Sequence, residues 1–247
     1  MRVPHVKAVL FDLGETLYTY ADIPLDWTSR YGAALARGFA AAGLTVADRD
    51  LALARSHLAG FNTRRVPREI EFGSDRVFAA ALRGLDLSPC EVEAVAVGFF
   101  TDFRQSLRPY PETVAVLQGL RRHGLRTGAL TDVPYGMPAR FVWADLRDCG
   151  VLDLLDACLT SVQAGYRKPH PAGILKLCAA LAVAPGEAIY VGNEEKDVLG
   201  ARNAGIAAVL VARDGVARAW GQSATVGDLT GCFDVLGIEP RAVETTD

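Results

Sequence analysis

Asp12, Thr131, Lys168 and the stretch from Asn193 to Asp197 are the residues whose types and placing suit chemistry. Asp12 follows the apolar run Ala8 to Phe11. Thr131 and Asp132 follow Arg126 to Leu130, and Asn193 and Glu194 follow Ala188 to Gly192. Lys168 sits in Gly-Tyr-Arg-Lys-Pro-His-Pro, just ahead of a helical pattern. Short apolar runs read as strands buried on both faces. In a parallel sheet, polar residues just past the strand ends face one crevice. A carboxylate there serves as a nucleophile or as a ligand for a hard cation. A Thr hydroxyl and a Lys ammonium there stabilise developing negative charge. Each residue also has a plainer use. Asp12 caps a turn, Thr131 ends a strand, Lys168 is a solvated charge, Asn193 turns the chain and Asp197 caps a helix. Gly14 is expected to supply the sharp turn after Asp12.

The elements that position these residues fall into two kinds. From Arg108 onward, helical and strand patterns alternate. Helices are predicted over Pro111 to His123, Pro138 to Cys149, Pro171 to Leu181 and Asp197 to Ala204. Strands are predicted over Arg126 to Leu130, Ala157 to Leu159, Ala188 to Val191 and Ala207 to Val211. This alternation implies right-handed crossovers and a parallel, Rossmann-like α/β sheet with helices on both faces. Residues 18–108 differ. Helical spacing recurs over Trp27 to Ala42, Leu51 to Phe61, Asp75 to Leu85 and Pro89 to Leu107, with Ser88 as an N-cap. Asn62 to Gly73 reads as a loop, and no strand is expected in this stretch. After Arg213 only a short helix near Val226 to Leu236 is expected, with a frayed end from Glu239. The reading is therefore a core of residues 1–17 and 109–247, interrupted by an all-helical cap domain at 18–108. An insertion just past Asp12 would lie over the crevice, as a lid does.

Composition narrows the functions. The 247 residues are half hydrophobic with a net charge of −3, which gives no basic field for nucleic acid. Five cysteines, Cys90, Cys149, Cys158, Cys178 and Cys232, form no C-x-x-C and read as buried thiols of a reducing, cytoplasmic protein. No apolar run approaches the ~20 residues that span a bilayer, so no membrane partner is expected. No signal-peptide pattern opens the chain. No G-x-G-x-x-G follows a strand, which disfavours a dinucleotide enzyme. Lysine is scarce (Lys7, Lys168, Lys176 and Lys196), so one in a special place draws notice.

In order and spacing these motifs resemble the haloacid dehalogenase-like (HAD) hydrolase superfamily. Its first motif, D-x-D-x-T, is matched by Asp12-Leu13-Gly14-Glu15-Thr16. A strand-ending Ser or Thr is matched by Thr131, a Lys by Lys168-Pro169, and an acidic pair by Gly192-Asn193-Glu194-Glu195-Lys196-Asp197. The resemblance covers residues 5 to about 212. It implies a phosphatase of a small phosphorylated metabolite, acting through an aspartyl-phosphate on Asp12. It implies Mg²⁺ held by Asp12, the Gly14 carbonyl, Asn193 and Asp197, with Thr131 and Lys168 on the phosphoryl oxygens. Thr16, Asp132 and Glu194 are candidate substrate contacts, and the enzyme is expected to be a monomer or homodimer.

Two departures bear on this reading. Gly14 stands where the family pattern has a second Asp, which serves its phosphatases as general acid. Asn193 stands where it has the first acid of the last motif, and a neutral amide binds Mg²⁺ more weakly than a carboxylate. Two alternatives follow. A metal-independent 2-haloacid dehalogenase also lacks the second Asp and uses an Asn in its last motif. A catalytically weak HAD-like protein for binding or regulation is the other. Retention of Asp12, Thr131, Lys168 and Asp197 favours an enzyme.

Overall fold

The structure is a computed structural model that describes residues 5–20, 26–103 and 107–240. The chain opens with β1 (Ala8–Phe11), whose side chains are all buried. Alternate residues enter different cores. Val9 and Phe11 pack on one face of the sheet, and Ala8 and Leu10 on the other. A fully apolar run is what a central strand covered on both faces requires.

β2 (Tyr18–Tyr20) follows, and then four helices: α1 (Tyr31–Ala41), α2 (Asp48–Ala59), α3 (Ser74–Ala81) and α4 (Pro89–Phe103). A 3₁₀ turn over Trp27–Arg30 precedes α1. The helices pack on one another, α1 most closely on α4. Two glycines permit that approach, since a Cβ on Gly98 would stand 2.7 Å from the Gly38 Cα. Ser88 and Glu91 close the start of α4 reciprocally, with Ser88 N–H to Glu91 Oε2 at 2.7 Å and Glu91 N–H to Ser88 Oγ at 3.3 Å.

The chain returns through β3 (Leu107–Pro109), which pairs antiparallel with β2, Thr19 lying opposite Arg108. This corrects the expectation of no strand between residues 18 and 108; Leu107, expected in the last helix of that stretch, lies in β3, and 104–106 are outside the described residues. After β3 the predicted alternation follows: α5 (Thr113–Arg122), β4 (Arg126–Thr131), α6 (Ala139–Asp148), β5 (Ala157–Thr160), the short α7 (Ser161–Ala164), α8 (Ala172–Ala180), β6 (Ala188–Gly192), α9 (Glu195–Asn203) and β7 (Ala207–Val211). The chain then adds β8 (Ala224–Val226), which was not expected, and α10 (Gly231–Leu236), which starts later than expected.

The six sheet strands run in the order β5-β4-β1-β6-β7-β8, all parallel. β1 lies between β4 and β6, with Phe11 opposite Ala129 and Val191. The carboxyl ends of β1, β4 and β6 therefore open at one level, where an α/β sheet binds its ligand. Cys149, Cys178 and Cys232 are buried as expected, whereas Cys90 is exposed. Among the described residues no helix is long and apolar enough to cross a membrane.

Candidate active site

Asp12 is the first residue past the central strand, and its N–H donates to the Val191 carbonyl at 2.9 Å. The left-handed residue of the following turn is Glu15, at φ 59°, and not Gly14 as expected. Glu15 holds that conformation with its carboxylate pinned, accepting from Thr19 Oγ1 at 2.8 Å and Tyr110 Oη at 2.9 Å. Gly14 matters for a different reason. A Cβ there would stand 3.4 Å from Cε2 of Tyr20, so an aromatic ring covers the position.

Lys168 comes from the loop after α7 and reaches under Asp12. Its Nζ donates to Asp12 Oδ1 at 2.5 Å, Asp197 Oδ1 at 2.6 Å and Tyr190 Oη at 3.2 Å. Tyr190, buried in β6, in turn donates to the Leu130 carbonyl at 3.1 Å. Burial pushes the Asp12 carboxyl up to about 7, against the pull of Lys168. Burial alone would lower the Lys168 ammonium, but Asp12 and Asp197 outweigh it and hold it well above its ordinary value. The cation therefore stays charged beneath the carboxylate.

Thr131, half-buried at the end of β4, lines the same cleft as Asp12, Lys168, Asn193 and Glu194. The cleft measures about 980 Å³. Thr16, a candidate substrate contact, is fully buried, and its hydroxyl donates to Asn193 Oδ1 at 3.1 Å. Asp197, expected as a metal ligand, is also buried, with both carboxylate oxygens engaged. Oδ1 accepts from Lys168, and Oδ2 accepts from the N–H groups of Asn193 and Glu194 at 3.1 and 2.9 Å. It holds the Asn193 loop and Lys168 in place.

Of the four residues expected to hold a metal, Asp12, Gly14 and Asn193 line the cleft. Among the described residues no three His, Cys, Asp or Glu side chains gather to hold a metal by themselves. One carboxylate with neutral oxygens fits a hard cation that keeps several waters, as Mg²⁺ does.

A family model of haloacid dehalogenase-like hydrolases matches residues 6–205. The chain belongs to that family. Among curated HAD-like relatives, a glyceraldehyde 3-phosphate phosphatase of Methanopyrus kandleri is 30% identical over 211 residues, 84% of each chain. A phosphoserine phosphatase of Thermus thermophilus is 38% identical over 141 residues, 56% of this chain and 54% of the other. The crystal structure of a HAD phosphatase from Thermococcus onnurineus superposes with a TM-score of 0.63 at 26% identity, covering 96% of this chain and all of that one. A 2-haloacid dehalogenase from Pseudomonas syringae pv. Tomato, with a TM-score of 0.65 and 23% identity over 94% of this chain and 98% of the other, shares the fold.

Sequence reading missed what surrounds this HAD-like centre. Charges of alternating sign run from the helical insert through the core and back. Arg64 reaches Glu194 at 3.3 Å, Glu194 reaches Lys196 at 2.6 Å, and Lys196 reaches Asp132 at 3.5 Å. Asp132 meets Arg167 at 3.9 Å, Arg167 pairs with Glu71, and Glu71 holds Arg68 at 2.8 Å. Asp132 also accepts the Lys168 N–H at 3.1 Å. Burial would raise the Asp132 carboxyl, but Lys168, Arg167 and Lys196 bring it below its ordinary value. Glu194 is likewise brought down to about 2, where Lys196 and Arg64 outweigh its burial. The scarcity of lysine was a signal for Lys196. Glu71 and Arg167 carried none, because they meet only in the folded chain.

Proposed function

We propose that this chain is a Mg²⁺-dependent phosphatase of a small phosphorylated metabolite, working through an aspartyl-phosphate on Asp12. The observation that carries this reading is the buried Asp12 carboxylate, 2.5 Å from Lys168 on the floor of a cleft that Thr131 shares. The Asp12 carboxylate attacks phosphorus, and the ester oxygen leaves with the bonding pair. Water then hydrolyses the acyl phosphate and restores Asp12. Lys168 and the Thr131 hydroxyl bind the phosphoryl oxygens and stabilise their charge in the transition state. When bound to Asp12, Gly14 and Asn193, Mg²⁺ supplies positive charge that offsets repulsion between carboxylate and phosphate. Asp197 acts through Lys168 and the Asn193 loop.

Residues 18–108 serve as a cap on a core of residues 1–17 and 109–247. Trp27, Asn62 and Arg64 of the insert face the cleft, positioned to exclude water and select substrate. The names of the relatives support a small phosphorylated substrate.

The test is a screen of phosphorylated metabolites and 2-haloacids, each with Mg²⁺ or excess chelator, for wild type and Asp12→Asn. The expected result is Mg²⁺-dependent phosphate release that Asp12→Asn abolishes. Haloacid turnover in chelator would replace this reading with the dehalogenase.

A further inference from the structure

The cleft holds a nucleophile and cations, yet among the described residues the other carboxylates and phenols that line it are bonded, paired with cations or at its rim. We infer that the substrate is a phosphate of a planar, acidic alcohol or acid (an aryl, enol or acyl phosphate), whose leaving group departs as a stable anion. The inference rests on the phosphatase reading above.

Splitting an alkyl phosphate expels an alkoxide unless an acid protonates it, and such help is typically worth ~10²–10⁴-fold. Among the described residues, the carboxylates and phenols able to give that proton are otherwise committed. Glu15 lines the cleft, but its carboxylate is pinned by Thr19 and Tyr110 in a left-handed turn. Tyr20 covers Gly14 with its ring, while its hydroxyl lies 3.3 Å from that of Tyr18, a buried residue. The hydroxyl of Tyr135 is bonded to that of Tyr31. Asp132 lies between Arg167 and Lys196, and Glu194 between Lys196 and Arg64, so each carboxylate is already paired on two sides. Lys168, held between Asp12 and Asp197, belongs to the attacking side, where it serves the phosphoryl oxygens. The remaining carboxylates of the cleft wall, Glu69 and Glu195, are on exposed residues at its rim.

The walls fit the same class. Trp27, Phe61, Tyr20 and Tyr135 line the cleft, and Trp27 is itself stacked on Phe103 at 3.8 Å. Flat, rigid aromatic faces suit a planar leaving group better than a flexible polyol.

The test is kcat/KM for wild type across phosphate monoesters of graded leaving-group pKa, from nitrophenyl and acetyl phosphate to glycerol phosphate. This constant ends at leaving-group departure, so the shared hydrolysis of the phosphoenzyme does not enter it. The expected result is at least a hundredfold advantage of aryl and acyl over alkyl phosphates, falling steadily with leaving-group pKa. Glu15→Gln and Tyr20→Phe should change aryl and alkyl substrates by the same factor. Alkyl and aryl rates within tenfold of each other overturn the inference. So does either variant slowing alkyl esters selectively by tenfold or more, which would identify the acid. Absence of Asp12-dependent turnover of every ester overturns the phosphatase reading itself, and this inference with it.

Discussion

Lys168 Nζ lies 2.5 Å from Oδ1 of Asp12, the ammonium buried and the carboxylate reaching solvent only through the cleft. The same ammonium holds Asp197 at 2.6 Å, so one cation balances two buried carboxylates. Removing it strands both charges. Lys168→Met should lose turnover by at least a hundredfold and stability by about 3–5 kcal/mol, the usual cost of breaking a buried pair from one side. Asp12→Asn should lose turnover just as fully but keep its stability far better, because the amide leaves only one carboxylate for the same cation. Denaturant midpoints beside steady-state rates separate the two. Equal destabilisation by both changes would contradict the pairing.

The metal prediction turns on which oxygens are spoken for. Asp197 has none to spare, so Asp197→Asn should lower kcat while leaving the Mg²⁺ concentration for half-maximal activity within about threefold of wild type. Asn193→Asp adds a charged oxygen at the cleft floor and should lower that concentration by tenfold or more, since a hard cation binds a carboxylate better than an amide. Mg²⁺ titrations of the three proteins decide. A large rise for Asp197→Asn would return that residue to the metal.

Glu71 fastens the loop between α2 and α3 to the core. Its buried carboxylate accepts from Ser161 Oγ at 2.7 Å and pairs with Arg167 and Arg68. The adjoining backbone adds Glu71 N–H to Gly165 O at 3.1 Å and Arg167 N–H to Glu69 O at 2.7 Å. Glu71→Ala should cost about 3–5 kcal/mol, because Arg167 and Arg68 both lose their close partner and the buried Arg167 keeps only Asp132, at 3.9 Å. It should also raise KM more than it lowers kcat, since the loop carries Arg64 and Arg68 to the cleft wall. A change confined to kcat would show that the loop does not meet substrate.

Acid should dissolve the rim of the cleft. Glu194 has its pKa drawn down from 4.5 to about 2 in the folded chain, the cations beside it outweighing its burial. A depressed carboxyl stabilises the fold above its unfolded pKa and ceases to do so as pH falls through the folded one. The stability gap between wild type and Glu194→Gln should therefore be constant near neutrality and shrink from pH 4.5 toward pH 2. Urea midpoints measured from pH 7 to pH 3 would refute this if the gap widened instead.

The strand ends at Asp12, Thr131 and Asn193 were legible from sequence for one physical reason, whereas Lys168 stood out only through the scarcity of lysine. A strand covered on both faces must be wholly apolar, so the first polar residue after each run marks its end. Ser88 was legible because a helix cap is local chemistry. The ribbon of Tyr18–Tyr20 and Leu107–Pro109 was not. Each strand is three residues long and takes its hydrogen bonds from a partner far along the chain. The turn at Glu15 was missed because its carboxylate is anchored by Tyr110, again a distant residue. The bonds that engage Asp197 and Thr16 were not legible, since spacing gives the neighbourhood of a side chain but not which of its oxygens is already bonded.

The ribbon carries a consequence for how such a chain diversifies. Thr19 lies opposite Arg108, so the way out of the sheet and the way back are neighbouring strands, about 5 Å apart. To the sheet, everything between Tyr20 and Leu107 is a hairpin loop. Closing a loop costs only slightly more as it lengthens, and insertions succeed where the two ends already meet. The sheet and the helical insert are then separately heritable: one can be exchanged, shortened or enlarged while the register of the other is kept.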